Sequence, residues 1–265
     1  MTDATSDSDS SHVTVKFTFI RHGESIDNLH SVWAGWKDSP LSNHGKKQAE
    51  ALAISFADIK LTAIHSSPLK RAFTTAEALW NVQSHPKPPL TTSLLLREQH
   101  FGQGEGQRYD VRREPGVSLE EHITRGKYPA LRGRHEQYPE GESLNDVARR
   151  AEQVVQEVVL PHGIFIGELV TSLLRRTSNI QDGLNPREYR GLRNTGWTLV
   201  AVHVKHEQEE NDDGFVHVQV VKQNSCQHLD GLVRQKGGIA NAAYDPKQKD
   251  IRAFFNGGVS KTMPH

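Results

Sequence analysis

Val13-Thr14-Val15-Lys16-Phe17-Thr18-Phe19-Ile20 runs straight into Arg21-His22-Gly23-Glu24-Ser25. Apart from Lys16, the first eight residues are β-branched or aromatic, the composition of a strand. The five that follow place a cation, an imidazole and a carboxylate at its carboxyl end, the edge where open α/β sheets hold their ligands. Outward from this stretch, strand and helix patterns alternate. A helix begins after Ser42, a plausible N-cap. Leu61 to His65 reads as a second short strand. Ser67 and Pro68 then open a helix that carries Arg71, Ala76 and Leu79 toward Trp80. A proline-rich loop spans 84–89, and Leu94-Leu95-Leu96 reads as a buried strand or strand end before Arg97-Glu98. Residues 102–142 show no sustained apolar period and read as an insertion or lid with short helices. Further helices are expected from Leu144, with a stripe at Val147, Ala151 and Val154, and from Ile164 to Leu174. Thr198 to Val204 and Phe215 to Val221 alternate around an acidic turn and predict a hairpin. The expected architecture is α/β, a mostly parallel sheet with helices on both faces and an antiparallel hairpin near the C-terminus. Residues 1–12 read as a disordered tail, 13–222 as one domain and 223–265 as an irregular extension.

Composition narrows the function classes. The 265 residues carry 32 Lys plus Arg against 32 Asp plus Glu, so whole-chain charge gives no reason to expect nucleic acid or an anionic membrane as a partner. The single cysteine, Cys226, excludes an internal disulfide framework and fits a reducing, cytoplasmic setting. The start of the chain is acidic and serine-rich, unlike a signal peptide, and no apolar run approaches a membrane span. No set of histidines, cysteines or carboxylates has metal-site spacing, so neither metal nor cofactor is expected.

Four features fall at strand ends or helix starts: Arg21-His22-Gly23, Ser66 to Arg71, Arg97-Glu98 and His162-Gly163. Guanidinium forks bind phosphate oxygens in pairs. A neutral imidazole can attack phosphorus, and a carboxylic acid can protonate the departing oxygen. A single histidine among 15 is more often structural, so the set and not its members carries the inference.

The ordered set resembles the histidine phosphatase superfamily, in its phosphoglycerate mutase-like branch. The similarity runs from about Val13 to Val204. It comprises Arg21-His22-Gly23-Glu24-Ser25 with Asn28, Ala34-Gly35-Trp36, Pro40 to Gly45, Ser66 to Ala72, Glu98 to Gly102, Gly141-Glu142-Ser143, His162-Gly163 and Asn194-Thr195-Gly196. The resemblance implies that His22 is the nucleophile and becomes transiently phosphorylated. It implies that Arg21, Arg71 and His162 hold the phosphoryl oxygens with help from Asn28, and that Glu98 serves as proton donor. It places Ala34, Gly35 and His100 against the substrate, a small phosphorylated metabolite of the sugar phosphate or phosphoglycerate type.

The mutase pattern has a tyrosine where Phe101 stands and a lysine where Tyr109 falls. Its paired arginines have no clear match, although Arg112-Arg113 could substitute. Loss of contacts to a second anion favours hydrolysis, so a phosphatase is the first expectation, with a mutase or a catalytically impaired scaffold as alternatives. The scaffold reading draws on the segment before His162. Between the end of the helical pattern at Val155 and Pro161-His162, the chain has too few residues for both a return loop and a central strand. Pro161 also lacks the N–H that a central strand needs. A strand-bearing segment is therefore expected to be missing between Leu160 and Gly163, leaving the sheet one strand short and His162 misplaced.

Overall fold

A computed structural model describes residues 12–157, 163–175, 186–205, 215–236 and 238–244. In chain order the elements are β1 (His12–Ile20), α1 (Ile26–His30), α2 (Asn43–Ser55), β2 (Ile64–Ser66), α3 (Lys70–Val82), β3 (Leu90–Thr92), α4 (Leu119–Thr124), α5 (Leu144–Glu157), α6 (Gly163–Arg175), β4 (Trp197–Lys205) and β5 (Phe215–Ser225).

The fold is α/β, but the expectation of a mostly parallel sheet is corrected. β1, β4 and β5 form one antiparallel sheet in that order, with Val13 opposite Val204 and Ile20 opposite Trp197. β4 and β5 are the predicted hairpin, whose strands can only run antiparallel, and β4 also runs against β1. The parallel pair among the described residues is β2 with β3, joined by α3 as a crossover. β1 and β2 thus belong to different sheets. The strand expected to be missing falls on Val158–His162, which lies outside the described residues, as does the proposed tail up to Ser11.

Alternation along β1 sends neighbouring side chains to opposite faces. Phe17 and Phe19 pack with Val147, Ala151 and Val154 of α5 and with Ile166, Leu169, Val170 and Leu173 of α6. Ile20 points the other way, toward Leu52 of α2, Phe56 just past its end, Ile64, and Ala76 and Leu79 of α3. Each large apolar side chain buried in this way contributes about 1.5–3 kcal/mol. β1 is therefore held from both sides, and residues 21–25 leave it in a fixed direction.

Local chemistry sets the helix starts. Ser42 Oγ accepts from Gly45 N at 3.0 Å, as expected of an N-cap. α3 departs from expectation: Ser67 Oγ instead accepts from Leu69 N, and the helix begins at Lys70. Asp38 Oδ1 takes the Lys70 N–H at 2.7 Å and so caps the helix from a distant loop. Leu94–Leu96 is a 3₁₀ turn and not a strand, because Ser93 Oγ accepts from Leu95 N; Leu96 is buried and Leu94 is exposed. The described residues after β5 dock on the domain. Asn43 N donates to Ala242 O, and Tyr244 N donates to Leu41 O. No helix among the described residues is long and apolar enough to cross a membrane.

Candidate active site

His22 lies two residues beyond β1 and is 6% exposed. Its Nδ1 stands 2.6 Å from the Gly23 carbonyl oxygen. A carbonyl oxygen can only accept, so Nδ1 carries the proton, and in the neutral ring Nε2 carries the lone pair. The backbone around the ring is pinned as well. The His22 carbonyl accepts from Thr195 N and from Asn194 Nδ2, both at 3.2 Å, and Gly23 N donates to Thr75 Oγ1 at 3.1 Å. Gly23 has to be glycine, since a Cβ there would stand 2.5 Å from the Gly45 carbonyl oxygen.

Two guanidinium groups flank this turn. Arg21 Nη1 donates to Leu192 O at 2.7 Å. Arg71, in the first turn of α3 and 1% exposed, donates to Lys37 O at 2.9 Å and to Gly35 O at 2.7 Å. Its buried Nε has no hydrogen-bond partner among the described residues. Burial pushes both guanidinium groups below the ordinary arginine range, and the Glu98 carboxylate is the first of the charges that pull each back up. Glu98 therefore lies close to both cations. Burial has cost both arginines their water, and an anion between them would restore favourable contacts.

Asn28 sits in α1, its Oδ1 accepting from Ser25 N and Asn194 Nδ2, so its NH₂ is the end those bonds leave over. Ala34 and Gly35 belong to a loop laid against the insertion: Trp33 N donates to Gln107 O and Gly106 N to Trp33 O, both at 2.8 Å. Gly35 has φ +50°, and a Cβ there would stand 2.1 Å from Glu105 Oε1. His100 stacks on Trp36, its Nε2 3.5 Å from Glu105 Oε1. Asn194 joins the His22 turn to Asn28, Glu98 lies within electrostatic reach of Arg21 and Arg71, and Gly35 and His100 lie on segments tied to Arg71 and Glu105. His162 lies outside the described residues.

Sequence reasoning passed over several supports of this site. Glu105 accepts from Trp36 N at 2.7 Å and from Phe101 N at 3.2 Å. Arg150 is 8% exposed, pairs with Glu142 at 2.7 Å and donates to the carbonyls of Leu95, Arg97 and Glu98. Its place on the apolar stripe of α5, three residues after Val147, was the available signal. Arg234 of the C-terminal extension grips Glu24 at 2.8 Å, a link that no local pattern announces. No cluster of three or more metal-ligating side chains occurs among the described residues.

The sequence pattern of the histidine phosphatase superfamily, branch 1, matches residues 17–202. The chain belongs to this superfamily. A protein of Schizosaccharomyces pombe named a probable phosphatase is 30% identical over 255 residues, covering 93% of this chain and 83% of the relative. A 2,3-bisphosphoglycerate-dependent phosphoglycerate mutase 2 of Lactobacillus johnsonii is 29% identical over 63% of this chain and 84% of its own length. A mycobacterial glucosyl-3-phosphoglycerate phosphatase shares the fold, with a TM-score of 0.61 and 23% identity, over 80% of this chain and all 100% of that one.

Proposed function

We propose that this histidine phosphatase superfamily member hydrolyses phosphate monoesters of small metabolites, of the sugar phosphate or phosphoglycerate type, through a phosphohistidine on His22. The Nδ1–Gly23 carbonyl bond carries the reading, because it fixes the tautomer that leaves Nε2 nucleophilic. In the first step Nε2 forms a bond to phosphorus as the bond to the ester oxygen breaks, and Glu98 gives its proton to the departing alkoxide. In the second, Glu98 takes a proton from water, the hydroxide oxygen bonds to phosphorus, and the N–P bond returns its electron pair to Nε2. Arg21 and Arg71 hold the non-bridging oxygens through both steps, which need no metal.

Hydrolysis is favoured over phosphoryl shuttling because the insertion offers little grip on a second anion. Arg113, the one arginine of the Arg112-Arg113 pair whose contacts are seen, is already spent on Glu136 in two bonds of 2.9 and 3.0 Å. That pairing pulls the Glu136 carboxyl down to about 2. Tyr109, where the mutase pattern has lysine, brings a phenol near Arg21 in place of an ammonium. Among the described residues β1 and β2 share no sheet, and this observation favours the second reading, an impaired enzyme. Phosphate release from a panel of sugar phosphates and phosphoglycerates, run alongside 3-phosphoglycerate with a bisphosphate primer, tests all three. Hydrolysis lost in His22→Ala supports the phosphatase; primer-dependent isomerisation supports the mutase; neither activity in the wild type supports the impaired form.

A further inference from the structure

We propose that Trp36 is the positioning residue for the Glu98 carboxyl, a role that rests on Glu98 being the proton donor. Three contacts converge on one indole. Its Nε1 donates to the backbone oxygen of Glu98 at 2.8 Å. The Arg97 guanidinium carbon stands 3.3 Å from the ring centroid. The His100 ring stacks at 4.3 Å and 24°. Residues 97 and 100 thus both grip the indole, while its edge bonds Glu98 in the segment between them. A cation over an indole is the strongest form of that contact.

The indole is itself anchored. Trp36 N donates to Glu105 Oε1, and the same carboxylate receives Phe101 N. The residues on either side of Trp36, Gly35 and Lys37, are those whose carbonyls hold Arg71. One short loop therefore sets the phosphate-binding cation with its backbone and the proton donor with its side chain. Trp36 is half-buried and does not belong to the apolar clusters of the core, so packing alone does not account for it.

Leaving-group dependence separates positioning from packing. An alkyl ester needs a proton as its P–O bond breaks, and a nitrophenyl ester hardly does. Glu98→Gln should slow hydrolysis of an alkyl phosphate far more than that of para-nitrophenyl phosphate. Trp36→Phe keeps a ring and loses the N–H donor. It should show the same selectivity at roughly 5- to 20-fold, the effect of one misplaced hydrogen bond. In the Glu98→Gln background it should add no further selectivity. Thermal unfolding confirms that each variant is folded; if Trp36→Phe is not, Arg97→Met removes the cation from the grip and carries the same comparison. Equal losses on both esters, or a selective loss that adds to that of Glu98→Gln, overturn the role of Trp36 and leave Glu98 in place. Absence of selectivity in Glu98→Gln itself, or no hydrolysis by the wild type, overturns both.

Discussion

His22 shows how much one hydrogen bond can decide. With Nδ1 committed to the Gly23 carbonyl, the neutral ring has one nitrogen to offer. His22→Ala should abolish labelling by a ³²P-phosphorylated substrate while leaving the unfolding midpoint within a few degrees, since the residue lies beyond β1 and not within it; labelled alanine variant would refute the assignment. Arg71→Lys keeps the charge and loses the two-pronged hold on Gly35 and Lys37. A point charge in place of a fork should lower kcat/KM by about 10²–10³, and steady-state kinetics within threefold of wild type would rule the fork out. These residues were legible in the sequence because each is tied to a strand end or helix start. Glu105 and Asp38 were not, because the Trp36 and Lys70 N–H groups they accept from lie far along the chain and only the fold brings them together.

At the scale of elements, periodicity read well and caps read less well. The stripe on α5 and the apolar run of α6 were both recognisable, and they pack on each other and on Phe19. The start of α3 was misplaced because its cap comes from Asp38 and not from Ser67. Leu94–Leu96 looked like a strand because three leucines signal burial without signalling geometry; Ser93 turned them into a 3₁₀ segment. Arg150 is the place where α5 does more than pack. It binds Glu142 and the carbonyls of Leu95, Arg97 and Glu98, so it holds the acid-bearing segment from the core side. Arg150→Ala removes a buried cation from Glu142 and from the Leu95 and Arg97 carbonyls and should destabilise the fold by about 3–5 kcal/mol. Urea denaturation measures this directly; a change under roughly 0.5 kcal/mol, the range of ordinary surface substitutions, would show that the network is solvated.

Across the whole molecule, the α/β class and the terminal hairpin were legible, and the direction of the main sheet was not. Strand direction depends on which neighbour β1 takes, a long-range choice with no local signature. The docking of the C-terminal extension was equally hidden, yet it brings Arg234 to Glu24 and His228 to Thr195, both beside the turn that carries His22. That docking has a titratable consequence. Thr195 Oγ1 spends its proton on Asn194 O, so His228 Nε2 must donate to it, and the buried Nδ1 has no partner among the described residues. Protonating Nδ1 would bury an N–H with nothing to receive it. Burial accordingly pushes the His228 imidazole below its ordinary range, as it does for His44 and His65. A depressed histidine binds fewer protons in the folded state than in the unfolded one. The stability it contributes is therefore fully present above the unfolded pKa of about 6.5 and is lost as pH falls toward and through the folded value. Urea midpoints should hold steady from pH 8 to 7 and then decline as pH drops below about 6.5. His228→Gln, which can donate to Thr195 without titrating, should reduce the slope of that decline. A slope unchanged in His228→Gln would assign the acid sensitivity to His44 and His65, and a flat profile in the wild type would remove all three.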